Sequence, residues 1–201
     1  MYRSLLGILL PLLLAGCTSH EPSNPPPADP VLGCDGQPYP TLDQSPYIVP
    51  FPPSTTVETG LTNCSSSFHG ADRPDRYATD FDMPEGTPFT AARGGTVHSV
   101  REDTEGGSGN WVLIDHGDGT MAYYAHSPND GVLVEVGERV EPGDALGLVG
   151  RTGLAGYPHL HFVVVRAPGT WPYDSVPVSF RNVDPPHTAL ETGATYRVLQ
   201  P

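Results

Sequence analysis

The sequence contains no lysine: its 10 positive residues are all arginine, set against 23 Asp and Glu. A formal net charge of -13 leaves no basic patch for a phosphate backbone, which sets nucleic acid aside as a partner. The charge says little about fold. No stretch carries sustained helical periodicity, so the pattern offers no support for a helical domain. The apolar run from Leu5 to Ala15 is about half the roughly 20 residues that a membrane-spanning helix needs, and Pro11 interrupts it. Cysteine is scarce, with only 3 in the chain, and no two stand in a Cys-x-x-Cys pair.

What is present at the N-terminus is a targeting pattern. Arg3 supplies a positive charge, a short apolar stretch follows, and Gly16-Cys17 ends it. Leu14-Ala15-Gly16-Cys17 resembles the lipobox of bacterial lipoproteins. The resemblance implies removal of residues 1–16 and acylation of Cys17, which holds a protein without a spanning helix on a membrane. Thr18, in place of Asp, points by analogy with lipoprotein sorting to the outer membrane facing the periplasm. Residues 17–32 are rich in Pro, Ser and small polar residues and read as a lipidated, extended tether. Cys34 and Cys64 then form an even pair in an oxidising compartment, and a disulfide between them is expected. A cysteine zinc site is the competing reading. Residues 33–66 otherwise read as an irregular lead-in.

From Tyr77 onward the pattern is β. Strands are expected at 95–101, 110–116, 121–126, 131–136, 145–149 and 159–166, rich in β-branched and aromatic residues. His116-Gly-Asp-Gly-Thr120 carries the Asp-Gly signal of a hairpin. Strands at this spacing with Gly turns predict an all-β fold, an antiparallel sheet or sandwich, over 67–183, with 184–201 as a C-terminal extension.

The chemistry gathers around His159-Leu160-His161. Residues two apart on a strand share a face, so both imidazoles point the same way and can divide the work of metal ligand and base. Alone, the pair reads sooner as two solvated histidines on an exposed strand. Its context is more specific. Asp80-Phe-Asp-Met-Pro-Glu-Gly-Thr-Pro88 followed by Ala91-Ala-Arg-Gly-Gly-Thr-Val97, then Tyr124-Ala-His126, the Val140–Gly150 segment and Gly150-Arg-Thr-Gly-Leu-Ala-Gly-Tyr-Pro-His-Leu-His-Phe162 resemble, in this order, the elements of lysostaphin-type (LytM-domain) metallopeptidases.

The resemblance implies a zinc ion (Zn2+) held by a His, an Asp and the second His of His-x-His, with an open fourth position. Asp80 and His161 match two of these ligands. His159 matches the general base, and His126 the residue that steadies the developing oxyanion. The family's usual first ligand stands four residues before the Asp, where this chain has Arg76, which cannot ligate. Ser67-Phe-His-Gly70 followed by Tyr77-Ala-Thr-Asp-Phe81 is similar to a variant arrangement in some members, which makes His69 the third ligand. A degenerate domain that has lost its metal is the competing reading. His20, His98, His116 and His187 are read as structural or exposed, and Asp82 as a neighbour of the ligands. The function implied is a monomeric zinc-dependent endopeptidase acting on the peptide cross-links of peptidoglycan. The alternatives are an inactive relative that binds wall peptides or regulates another hydrolase, and a purely structural lipoprotein.

Overall fold

A computed structural model describes residues 29–102 and 109–201. The expected signal segment, Cys17 and all of the tether before Asp29 lie outside the described residues. The described residues form eleven strands and no helix. In chain order they are β1 (Thr56–Thr59), β2 (Thr79–Asp82), β3 (Pro88–Thr90), β4 (Gly95–Arg101), β5 (Asn110–Asp115), β6 (Thr120–Ser127), β7 (Arg139–Val140), β8 (Ala145–Leu148), β9 (Leu160–Arg166), β10 (Val183–Asp184) and β11 (Thr195–Val198). Nine make one sheet in the order β10-β11-β1-β2-β9-β6-β5-β4-β7, and β3 pairs with β8 in a second. Every pairing is antiparallel. The fold is the all-β antiparallel class that the spacing of strands and turns predicts.

Local chemistry explains the turns. Gly117 and Gly119 both have positive φ between β5 and β6, where a side chain would be strained, and the His116 N–H donates to the Thr120 carbonyl at 3.1 Å. The strand expected at 131–136 reduces to an isolated bridge, Val132 to Gly147, with Leu133 and Val136 left exposed. Val134 is buried in the main core and Val132 packs against it, so these two side chains hold the segment without a longer ladder.

Alternation along the central strands divides the molecule into two apolar layers. Leu160, Phe162 and Val164 of β9 enter the main core, while Val163 and Val165 join a smaller cluster with Leu113 and Met121 on the other face. In the main core the Phe81 and Phe162 rings lie 5.8 and 5.6 Å from Phe180. Each phenylalanine buried in this way contributes about 1.5–3 kcal/mol. The sheet reaches beyond 67–183 on both sides. The lead-in sends Tyr47, Val49 and Phe51 into the main core and supplies β1, and the C-terminal segment supplies β11. Cys34 and Cys64 are joined in a disulfide with Cα atoms 5.6 Å apart.

Candidate active site

The site is built on one row of the sheet. In the β2–β9 register Asp80 stands opposite His161, and in the β6–β9 register Ala125 stands opposite His161 on its other side. Phe81 packs into the main core, so its neighbour Asp80 faces the other way, beside His161. The His161 Nδ1 is 2.9 Å from Asp80 Oδ1. His159, at the entrance to β9, shares that face, and its Nε2 is 3.8 Å from the same oxygen.

His126 reaches the site through an irregularity. Asn110 pairs with Ser127 but Trp111 pairs with Ala125, so β6 has one residue more than β5 at this point, and that residue is His126. Its φ is 78°, in the left-handed region. Regular alternation would put it on the core side with Tyr124; the bulge turns it onto the opposite face. Its ring lies 4.7 Å from His159 and 5.7 Å from His161. The Thr152 carbonyl accepts a hydrogen bond from His126 Nδ1 at 2.7 Å, and Thr152 Oγ1 donates to the Ser127 carbonyl at 2.6 Å. His159 Nδ1 likewise donates to the Tyr157 carbonyl at 2.9 Å. A carbonyl only accepts, so in the neutral rings both Nδ1 atoms carry the hydrogen and both Nε2 atoms keep their lone pairs. Gly150 lets this loop close: a Cβ there would stand 2.4 Å from the Pro128 nitrogen.

His69 comes from the excursion between β1 and β2, residues 60–78. It is 2% exposed, its Nε2 is 3.5 Å from Asp80 Oδ1, and its ring is 5.3 Å from that of His161. Arg76 points away from Asp80. Its Nε donates to Asp35 at 3.1 Å and its Nη2 to Asp174 at 2.5 Å, while its carbonyl accepts the Cys64 N–H at 2.7 Å. The disulfide and this arginine hub together brace the excursion that carries His69.

Two residues that no motif of the sequence singles out, Asp75 and Tyr173, complete the site. Asp75 Oδ1 is 3.3 Å from His161 Nε2, and the Tyr173 hydroxyl donates to the same carboxyl oxygen. Nothing in the local pattern of Asp72-Arg-Pro-Asp75 marks Asp75 out. Asp82 lies against the Tyr157 hydroxyl. His98, His116 and His187 make contacts elsewhere, with Ser99, Gly94 and Glu191.

The electrostatics favour a cation. Burial lowers His69 to about 4, so its imidazole is a neutral lone-pair donor at pH 7. Burial, then the neighbouring His161 and His159, lowers His126 to about 4. Burial opposes charge on His161 too, but hydrogen bonds to Asp75 and Asp80 more than offset it and push His161 up to about 10. Two carboxylates flanking one imidazole call for positive charge, and a metal can supply it by displacing the Nδ1 proton. Ligand atoms of His69, Asp80 and His161 lie within 4.8 Å of one another. Two ligands about 2.1 Å from a tetrahedral zinc stand about 3.4 Å apart, close to the 3.5 Å between His69 and Asp80. Two imidazoles and one carboxylate are also the donor types and number of a catalytic zinc centre.

Residues 75–174 match the model of Peptidase family M23. The chain carries an M23 peptidase domain. The M23 match begins after His69, and it leaves β1, β10 and β11 outside. The peptidoglycan DD-endopeptidase ShyA of Vibrio cholerae is 39% identical over 87 residues, 43% of this chain. An uncharacterized metalloprotease of Haemophilus influenzae is 34% identical over 112 residues, half of this chain. The matched regions span 19% and 23% of those two proteins, so the chain resembles a small part of each. Among solved structures, a mutant catalytic domain of the prophage-encoded M23 protein EnpA from Enterococcus faecalis superposes with a TM-score of 0.51 at 25% identity. It covers 65% of this chain and 94% of that one.

Proposed function

We propose that the protein is a zinc-dependent endopeptidase that hydrolyses peptide cross-links of bacterial peptidoglycan, with His69, Asp80 and His161 as metal ligands. The observation that carries this reading is the convergence of five side chains from separate segments on one face of the sheet. Three are suited to hold zinc, and the other two present Nε2 lone pairs beside it. Zinc, when bound, supplies a Lewis acid that polarises the scissile carbonyl and acidifies water. His159 Nε2 takes a proton from the attacking water while its Nδ1–H stays anchored on the Tyr157 carbonyl. The hydroxyl adds to the carbonyl carbon, the C–N bond breaks, and His159 returns the proton to the departing amine. His126, fixed by Thr152, offers its Nε2 to the same space. The oxyanion role that the family resemblance implies for it requires a proton on that nitrogen, which the lowering of this ring to about 4 disfavours in the resting site at pH 7.

The test is digestion of purified sacculi by protein of measured zinc content, with the products weighed by mass spectrometry. Cross-linked muropeptides should fall to their monomers, and a zinc chelator should stop the reaction. The DD-bond named for ShyA is the first specificity to check. Intact cross-links with zinc bound would favour a module that binds wall peptides.

The protein acts as a lipoprotein in this reading, held through acylated Cys17 at the outer membrane and working as a monomer in the periplasm. The lipobox at Leu14–Cys17 supports the anchor. Protein made in a bacterial host should partition into detergent, and Cys17→Ser should be soluble. A mature N-terminal peptide with unmodified Cys17 would rule the anchor out.

A further inference from the structure

We propose that Asp75 and Tyr173 are positioning residues for His161, fixing the ring so that Nδ1 is the nitrogen offered to the metal beside Asp80. This rests on the reading of His69, Asp80 and His161 as ligands. An imidazole can ligate through either nitrogen, and the one it uses is set by the hydrogen bond the other makes. His161 has a carboxylate at each nitrogen: Asp80 2.9 Å from Nδ1 and Asp75 3.3 Å from Nε2.

The two carboxylates are not equivalent. Asp80 is also 3.5 Å from His69 and belongs to the set of donors gathered within 4.8 Å; Asp75 does not belong to that set. Asp75 therefore sits behind the ligand ring while Asp80 sits beside it. Its oxygen is itself held by the Tyr173 hydroxyl. The Tyr173 ring is in turn packed 6.1 Å from Tyr123 and 5.2 Å from Trp171. A carboxylate accepting from Nε2–H fixes the tautomer and makes Nδ1 a stronger donor. The excursion that delivers His69 thus also delivers the brace for His161.

The experiment measures zinc affinity of the purified full chain by competition with a chromophoric chelator, in wild type and variants. Asp75→Ala should bind one zinc at saturation but about 10- to 100-fold more weakly, the usual worth of such an outer partner. Asp75→Asn, whose amide oxygen can still accept from Nε2, should recover part of the loss. Tyr173→Phe, which removes a single hydroxyl, should cost about 2- to 10-fold. The visible spectrum of the cobalt-loaded Asp75→Ala protein should shift, because the ligand ring is free to turn; a general loss of stability would not move it. Unchanged affinity in Asp75→Ala overturns the proposal. A loss as complete as that of Asp80→Ala also overturns it, by making Asp75 a ligand. Wild type that binds no zinc removes the metal centre itself, an outcome distinct from zinc bound without regard to Asp75.

Discussion

Replacing His69 by alanine should strip the protein of zinc and abolish digestion of sacculi. His69 is neutral at pH 7 because burial lowers it to about 4, so its Nε2 lone pair is available at 3.5 Å from Asp80. Without it the site keeps one imidazole and one carboxylate, one fewer than the three protein ligands of catalytic zinc. The affinity should therefore fall by more than the roughly 100-fold ceiling for outer partners. The fold should survive, because the loop that carries His69 is braced elsewhere, by the Cys34–Cys64 disulfide and by Arg76. Arg76→Ala is the counterpart: it should loosen that brace yet retain the metal, since the guanidinium points to Asp35 and Asp174. Metal analysis of the purified variants decides the matter. Zinc retained in His69→Ala would mean that another residue completes the centre.

The two histidines of the His-x-His pair should separate when each is changed. His159→Ala should keep zinc and lose about 10²–10⁴-fold in rate, the usual contribution of a positioned general base. His161→Ala should lose metal and activity together. The difference follows from placement: His161 Nδ1 is 2.9 Å from Asp80, while His159 stands back at 3.8 Å with its other nitrogen committed to the Tyr157 carbonyl. Zinc content and single-turnover cleavage of a cross-linked muropeptide, measured on both variants, separate the roles. Equal zinc and equal residual rates would show the assignment to be wrong.

Some of this site is legible in the sequence and some is not, for physical reasons. The shared face of His159 and His161 follows from strand alternation, which is local, and the structure places both rings toward Asp80. The all-β class follows from the same short-range patterns. The loop that carries His69 is braced by an arginine tied to carboxylates 41 and 98 residues away, which no local pattern records. Asp75 likewise acquires its role only when Tyr173, 98 residues on, closes over it. The strands β1, β10 and β11 have at most four residues each, too few for a period to show. The bulge at His126 breaks the very alternation by which a strand is recognised.

That bulge also sets a limit on how stable this domain can be. A non-glycine residue in the left-handed region costs about 1–2 kcal/mol, and an extra residue in β6 interrupts a ladder that would otherwise run straight. Removing that residue would give a more regular sheet with no imidazole between His159 and the Thr152 loop. Selection for robustness alone would favour the regular sheet, and selection for chemistry the bulged one. Under the role proposed for His126, the domain gives up stability for reactivity at this backbone position, and ordinary stabilising substitutions elsewhere make up the difference.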